Sequence, residues 1–150
     1  KEMLQQISEQ SKTIQQSMSD IVWSIRPENE KVENLLIRIR EYAAQTLEPL
    51  NITTMVETDE QLINHILPIE FRKELLLICK EAINNIAKHS AATKVQINIS
   101  KYAEGLKIVI NDNGKGFDLH KNYQGNGRRH GNSQTPNARS RGYVCCERKD

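Results

Sequence analysis

A chain of 150 residues has room for one compact domain plus a long helix. With 37% hydrophobic and 27% charged residues it is polar, and its longest apolar run, Leu75 to Cys79, falls far short of the roughly 20 residues a membrane span needs. The net charge of +2 conceals an uneven distribution: residues 128–150 hold six Lys/Arg against two Asp/Glu, so the first 127 are mildly acidic and offer nucleic acid no basic field.

The first segment runs from Lys1 to about Arg26. Leu4, Ile7, Ser11, Ile14, Met18, Ile21 and Ile25 are spaced alternately three and four apart, a heptad seam with one polar defect at Ser11. So narrow a stripe buries too little to hold a lone helix, which implies partner helices in a coiled coil or four-helix bundle. The alternative is an amphipathic helix packed on its own domain. Pro27 ends the segment. It also marks a hinge at which rotation of the bundle repositions whatever follows.

A second helix is predicted from an Asn29 cap to about Glu48, with Val32, Leu35, Leu36, Ile39, Ala43 and Leu47 as its apolar stripe. Residues 52–58 are β-prone and read as a short strand. Pro68 suits the first turn of a third helix reaching about His89, its buried face formed by Phe71, Leu75, Ile78, Cys79, Ala82, Ile83 and Ile86. Two strands follow, one alternating through Val95, Ile97 and Ile99, the next through Leu106, Ile108 and Ile110, each with one buried face. The second runs into the glycine-rich loop Asn111 to Phe117. After Gly127 no period survives, and residues 128–150 are expected to be mostly disordered. The three cysteines have neither disulfide nor zinc spacing, which fits a reducing, cytoplasmic setting.

Polar residues punctuate the third helix at Glu81, Asn84, Asn85, Lys88 and His89. Glu81 and Asn85 are four apart, as are Asn84 and Lys88, so each pair shares a face. A carboxylate, an amide oxygen and a lysine so arranged can hold hydrated Mg²⁺ and phosphate oxygens; equally, such a stripe can be a solvated face. Asp112-Asn113-Gly114-Lys115-Gly116 ends a strand, where glycine permits close approach to a ligand and an aspartate can accept from an exocyclic amine. Alone it could be a hairpin turn. Gly125-Asn126-Gly127 could cradle phosphates or be a flexible loop.

In this order and on these elements, the motifs resemble the Bergerat-type (GHKL) ATPases. Glu81 to His89 is similar to the N box of the bacterial two-component sensor histidine kinases, Asp112-x-Gly114-x-Gly116-Phe117 to their G1 box, and Gly125-x-Gly127 to the start of their G2 box. Asp20 to Leu36 resembles the junction between dimerisation helix and ATP domain in one subgroup of these kinases. The resemblance covers residues 1–127. It implies an α+β fold: the second helix of a dimeric helical hairpin over residues 1–27, then a partial Bergerat-type α/β sandwich over 28–127, its antiparallel or mixed sheet covered by helices on one face. Residues 128–150 form an aberrant tail.

The implied function is ATP-dependent phosphoryl transfer to a histidine and then to a response regulator receiver domain. ATP and Mg²⁺ are the implied cofactors and a homodimer through residues 1–26 the implied assembly. Neither a nucleic acid nor, within this stretch, a membrane is an implied partner. The domain is cytoplasmic, in a full-length protein of the bacterial inner membrane. By the same resemblance Asn85 is the Mg²⁺ ligand, Asp112 contacts the adenine amine, and Gly114 and Gly116 shape its pocket. Lys88 and His89 lie near the phosphates with Gly125 and Gly127. Glu81 is the acid/base candidate or a ligand through water, and Asn84 is a neighbour of the site or surface.

Two departures stand out. The phospho-accepting histidine belongs on a helix before residue 1; none of His65, His89, His120 and His130 has a suitable setting, so this stretch is expected not to autophosphorylate alone. Gly127 is followed by Arg128-Arg129 where the family has a Leu-rich helix and further strands. Codons exist for His130-Gly131-Asn132 that read Met-Ala-Ile one nucleotide later, so a frameshift or recombinant readthrough is the expected origin, with an incomplete ATP lid as the result. The competing functions are a non-catalytic dimerisation module with a degenerate ATP pocket, or another GHKL ATPase such as an anti-sigma serine kinase. The heptad helix and the Trp23–Pro27 junction argue against the latter.

Overall fold

The computed structural model describes residues 1–102, 105–115 and 143–146. Its elements in chain order are α1 (Glu2–Ile25), α2 (Val32–Leu47), β1 (Thr53–Thr58), α3 (Ile69–His89), β2 (Lys94–Tyr102), β3 (Gly105–Asp112) and β4 (Tyr143–Cys146), with 3-10 turns at Pro27–Asn29, Glu48–Leu50 and Glu60–Leu62. The sheet order is β1-β2-β3-β4. β1 and β2 are parallel, while β2–β3 and β3–β4 are antiparallel. The sheet is thus mixed, and the architecture is the expected α+β.

Alternation along β2 and β3 buries Val95, Ile97, Ile99, Leu106, Ile108 and Ile110 on one face. These side chains share one core with α2 and α3. The α2 stripe Val32, Leu35, Leu36, Ile39, Ala43 and Leu47 is buried throughout, as its spacing predicts. On α3 the outcome is mixed. Leu75, Cys79, Ala82, Ile83 and Ile86 are buried, but Phe71 and Ile78 are only half-buried. Arg72, Leu76 and Lys80 are buried instead, because a second face of α3 packs against α1.

The Asn29 cap does not form. α2 starts at Val32, and its first N–H groups find backbone carbonyls in the loop before α3: Val32 N–H donates to His65 O at 2.9 Å and Glu33 N–H to Ile63 O at 3.1 Å. With these donors satisfied by the chain itself, no side-chain cap is required. The Asn29 amide turns back to donate to Trp23 O at 2.8 Å. Pro68 is the residue before α3 and not within its first turn.

The seam of α1 faces outward: Leu4 is 73% exposed, Ile7 58%, Ile14 60% and Met18 62%. What α1 turns toward the domain is its other side near the C-terminus, where Asp20 and Ser24 are buried. β4 occupies part of the segment in which no strand period was expected; the β-prone Tyr-Val-Cys-Cys pairs along β3 from Lys107 to Ile110. The expected disorder of the rest of 128–150 lies outside the described residues. Among the described residues, no helix is long and apolar enough to cross a membrane.

Candidate functional site

β3 carries the alternation of its inward face one step further than its apolar residues. Leu106, Ile108 and Ile110 are followed at the same period by Asp112, a carboxylate on the core side of the sheet and 4% exposed. One oxygen, Oδ1, accepts the N–H of Gly114 at 2.9 Å. The other, Oδ2, is buried and has no hydrogen-bond partner. Leaving such an oxygen unmatched costs about 1–3 kcal/mol, more when it is charged, so a buried orphan acceptor is a feature to be explained.

The turn holding Asp112 is fixed to the C-terminal end of α3. Ser90, the residue after His89, is fully buried. Its hydroxyl donates to Ile86 O at 2.9 Å and accepts from Ala92 N–H at 3.1 Å. Its carbonyl accepts the N–H of Lys115 at 2.9 Å. Gly114 lies so close that a Cβ there would stand 2.2 Å from Ser90 O and 2.7 Å from Asp112 Oδ1. Only glycine tolerates this approach. Asn113 completes the clip: Oδ1 accepts from Thr93 N–H at 2.9 Å and Lys94 N–H at 2.8 Å, and Nδ2 donates to Thr93 Oγ1 at 2.9 Å. The chain reverses between α3 and β2 through Ala91, whose φ of 51° is left-handed. Strained backbone of this kind often accompanies functional sites.

The polar residues of α3 divide into two groups. Glu81, Lys88 and His89 are exposed, and Asn85 is half-buried. Lys88 and His89 occupy the last turn, where positive charge complements the helix dipole. Asn84 faces α2, and its Oδ1 accepts the hydroxyl of Tyr42 at 2.8 Å. The turn bearing Asp112 and Gly114 is therefore tied to the helix end bearing Asn85, Lys88 and His89, the juxtaposition on which the sequence reading depends. Gly116, Gly125 and Gly127 lie outside the described residues. Sequence reasoning gave no role to Ser90, Asn113 or Tyr42. Of these only Asn113, inside the glycine-rich loop, carried a local signal.

The residues present suit a nucleotide. A buried acceptor without a donor matches an exocyclic amine, and Asn85 offers one hard oxygen of the kind Mg²⁺ takes when phosphates and water supply the rest. Among the described residues, no group of three or more His, Cys, Asp or Glu stands ready to hold a metal by itself.

No protein-family model matches the chain. Among curated proteins it is 30% identical over 118 residues to the sensor protein VraS of Staphylococcus saprophyticus, covering 77% of this chain and 33% of that protein. It is 45% identical over 56 residues to the sensor histidine kinase YvfT of Bacillus subtilis, covering 37% of this chain and 15% of that protein. The chain thus spans a third or less of these relatives. Among solved structures, the Acinetobacter baumannii histidine kinase AdeS aligns over 80% of this chain and 61% of its own, with a TM-score of 0.55 and 13% identity. The histidine kinase domain of the blue-light activated kinase of Erythrobacter litoralis EL346 aligns over 61% and 45%, with a TM-score of 0.50 and 20% identity.

The fold, a mixed sheet under two helices with a long helix leading in, is that of histidine kinase catalytic domains. The chain belongs to the bacterial sensor histidine kinases, the signal-transducing transferases of two-component systems.

Proposed function

We propose that this chain binds Mg²⁺–ATP between the end of α3 and the turn after β3. The whole kinase then passes the γ-phosphoryl group to a histidine on a dimerisation helix, and from there to an aspartate on a response regulator receiver domain. One observation carries the proposal: Asp112 is a buried carboxylate with one oxygen lacking any partner, fixed against the end of a helix rich in candidate phosphate and metal ligands. Adenine's exocyclic amine is a donor of the kind that oxygen lacks.

In this proposal Asp112 orients the base, and Gly114 keeps the turn thin enough to bring it there. Gly116 extends the same pocket. Asn85 supplies an oxygen to Mg²⁺, which when bound neutralises charge on the phosphates. Lys88 and His89 add positive charge on the phosphate side, Gly125 and Gly127 begin the loop over the phosphates, and Asn84 is held next to Asn85 by Tyr42. Glu81, exposed one turn before Asn85, is the acid/base candidate. Phosphoryl transfer depends chiefly on positioning and charge neutralisation, which such a set can provide. Residues 1–27 form the dimerisation helix, 28–127 the ATPase unit, and 128–150 stand apart from both. The outward apolar seam of α1 supports a homodimer. The whole protein works at the inner membrane with this part in the cytoplasm.

Calorimetric titration of the chain with Mg²⁺–ADP tests the binding half. One saturable site that requires the metal is expected; no heat of binding would sink the proposal in favour of a non-catalytic dimer module. The transfer half is tested by incubating the full-length kinase with radiolabelled ATP. Acid-labile phosphohistidine is the expected product, and acid-stable phosphoserine would point to a serine kinase.

A further inference from the structure

α3 carries a second stripe that the nucleotide site does not use. Arg72, Leu76, Lys80 and Asn84 recur every four residues and so lie along one side of the helix. The first three are buried, on the side that packs against α1. Arg72 Nη1 donates to Arg26 O, just past the end of α1, at 3.1 Å. Leu76 lines an apolar cleft with Ser17 and Ile21. The Lys80 ammonium is bonded to the Asp20 carboxylate of α1, whose other oxygen receives Arg38 Nη2 at 3.2 Å. Lys80 Nζ also stands 4.4 Å from the ring centroid of Tyr42, within cation–π range. The Tyr42 hydroxyl donates to Asn84 Oδ1 at 2.8 Å, beside the metal candidate Asn85.

From this chain of contacts we infer that Lys80 and Tyr42 are positioning residues: Asp20 on the dimerisation helix fixes Lys80, Lys80 fixes the Tyr42 ring, and Tyr42 fixes the Asn84–Asn85 segment that serves the nucleotide. Asp20 is the one carboxylate paired with Lys80 among the described residues. Moving α1 away strips a buried ammonium of its counter-charge, a strongly unfavourable state. Lys80 relieves it only by shifting toward solvent, which takes it from the Tyr42 ring and frees the hydroxyl from Asn84. The arrangement therefore converts the orientation of α1 into the geometry of the nucleotide helix, through side chains with two alternative settings. The inference rests on the nucleotide reading above, which supplies the role of Asn85.

Two measurements on the chain test it. In the nucleotide-free protein, the side-chain amide resonances of Asn84 and Asn85 are recorded for wild type, Asp20→Asn and Tyr42→Phe. Both variants are expected to shift these signals while the amides of β2 and β3 stay put. Unmoved Asn84 and Asn85 signals in a folded Asp20→Asn protein overturn the relay. In calorimetry, each variant is expected to weaken Mg²⁺–ADP binding by about two- to thirtyfold. The double variant is expected to be no weaker than the worse single variant by more than about twofold, since both changes cut one path. Additive losses overturn it. If Asp20→Asn does not fold, Tyr42→Phe, which keeps the ring over Lys80, decides alone: unchanged amide signals and affinity overturn the inference. If wild type binds no nucleotide, the proposed function fails, and the resonance measurement still judges the relay.

Discussion

The main-chain N–H of Lys115 donates to the carbonyl of Ser90 at 2.9 Å, locking the turn after β3 to the end of α3. Helix and strand thereby share one corner, and the distance from α3 to Asp112 is set by backbone, not by mobile side chains. Preorganisation of this kind lets a site bind without first ordering its own walls.

Gly114→Ala would place a methyl group 2.2 Å from Ser90 O, a backbone atom with no room to yield. Thermal unfolding is expected to register a loss of about 1–3 kcal/mol, the range seen for overpacked positions. A melting temperature equal to wild type would mean that the contact between turn and helix is looser than described.

Asp112→Asn separates stability from binding. The substitution removes a buried oxygen that can carry charge without a partner, so the nucleotide-free protein is expected to be no less stable than wild type. Affinity for Mg²⁺–ADP is expected to fall at least about tenfold, since hydrogen bonds involving a charged group contribute about 1.5–3 kcal/mol. Paired melts and titrations check both halves. Lower stability with unchanged affinity would assign Asp112 a structural role only.

Ala91→Gly relieves a left-handed alanine at the reversal between α3 and β2. The Cβ there costs about 1–2 kcal/mol. Glycine's greater freedom in the unfolded chain returns about 0.5–1 kcal/mol of that. A net gain of up to about 1 kcal/mol in denaturant unfolding is expected. A clear loss would show that the strain is illusory.

Ile14→Glu places a charge in the middle of the α1 seam, at a residue 60% exposed in the single chain. Sedimentation velocity is expected to show a dimeric wild type and a monomeric variant, with melting of the α2–α3 core little changed. A wild type that sediments as a monomer at high concentration refutes pairing through this seam.

The elements of this protein were legible because their signals are local. The α2 stripe from Val32 to Leu47 is wholly buried, and β2 and β3 alternate as their sequences do, since period alone decides which side chains share a face. Extending the β3 alternation to residue 112 would also have foretold that Asp112 points inward. By contrast, the N–H groups at the start of α2 were met by carbonyls more than thirty residues away, at Ile63 and His65. An Asn29 cap was a sound local expectation that tertiary contact made unnecessary.

What the amino-acid order determined by itself was the set of elements, the seam of α1 and the two polar clusters that define the candidate site. Tertiary structure alone decided that α3 serves two neighbours, burying Arg72 and Lys80 against α1 while Leu75, Cys79, Ala82, Ile83 and Ile86 join the core it shares with the sheet. It also decided that Asp20, Lys80, Tyr42 and Asn84 form one line. The physical reason is range: helix and strand periods are written over a few residues, whereas a buried charge finds its partner across sixty, and only the packed chain says which one.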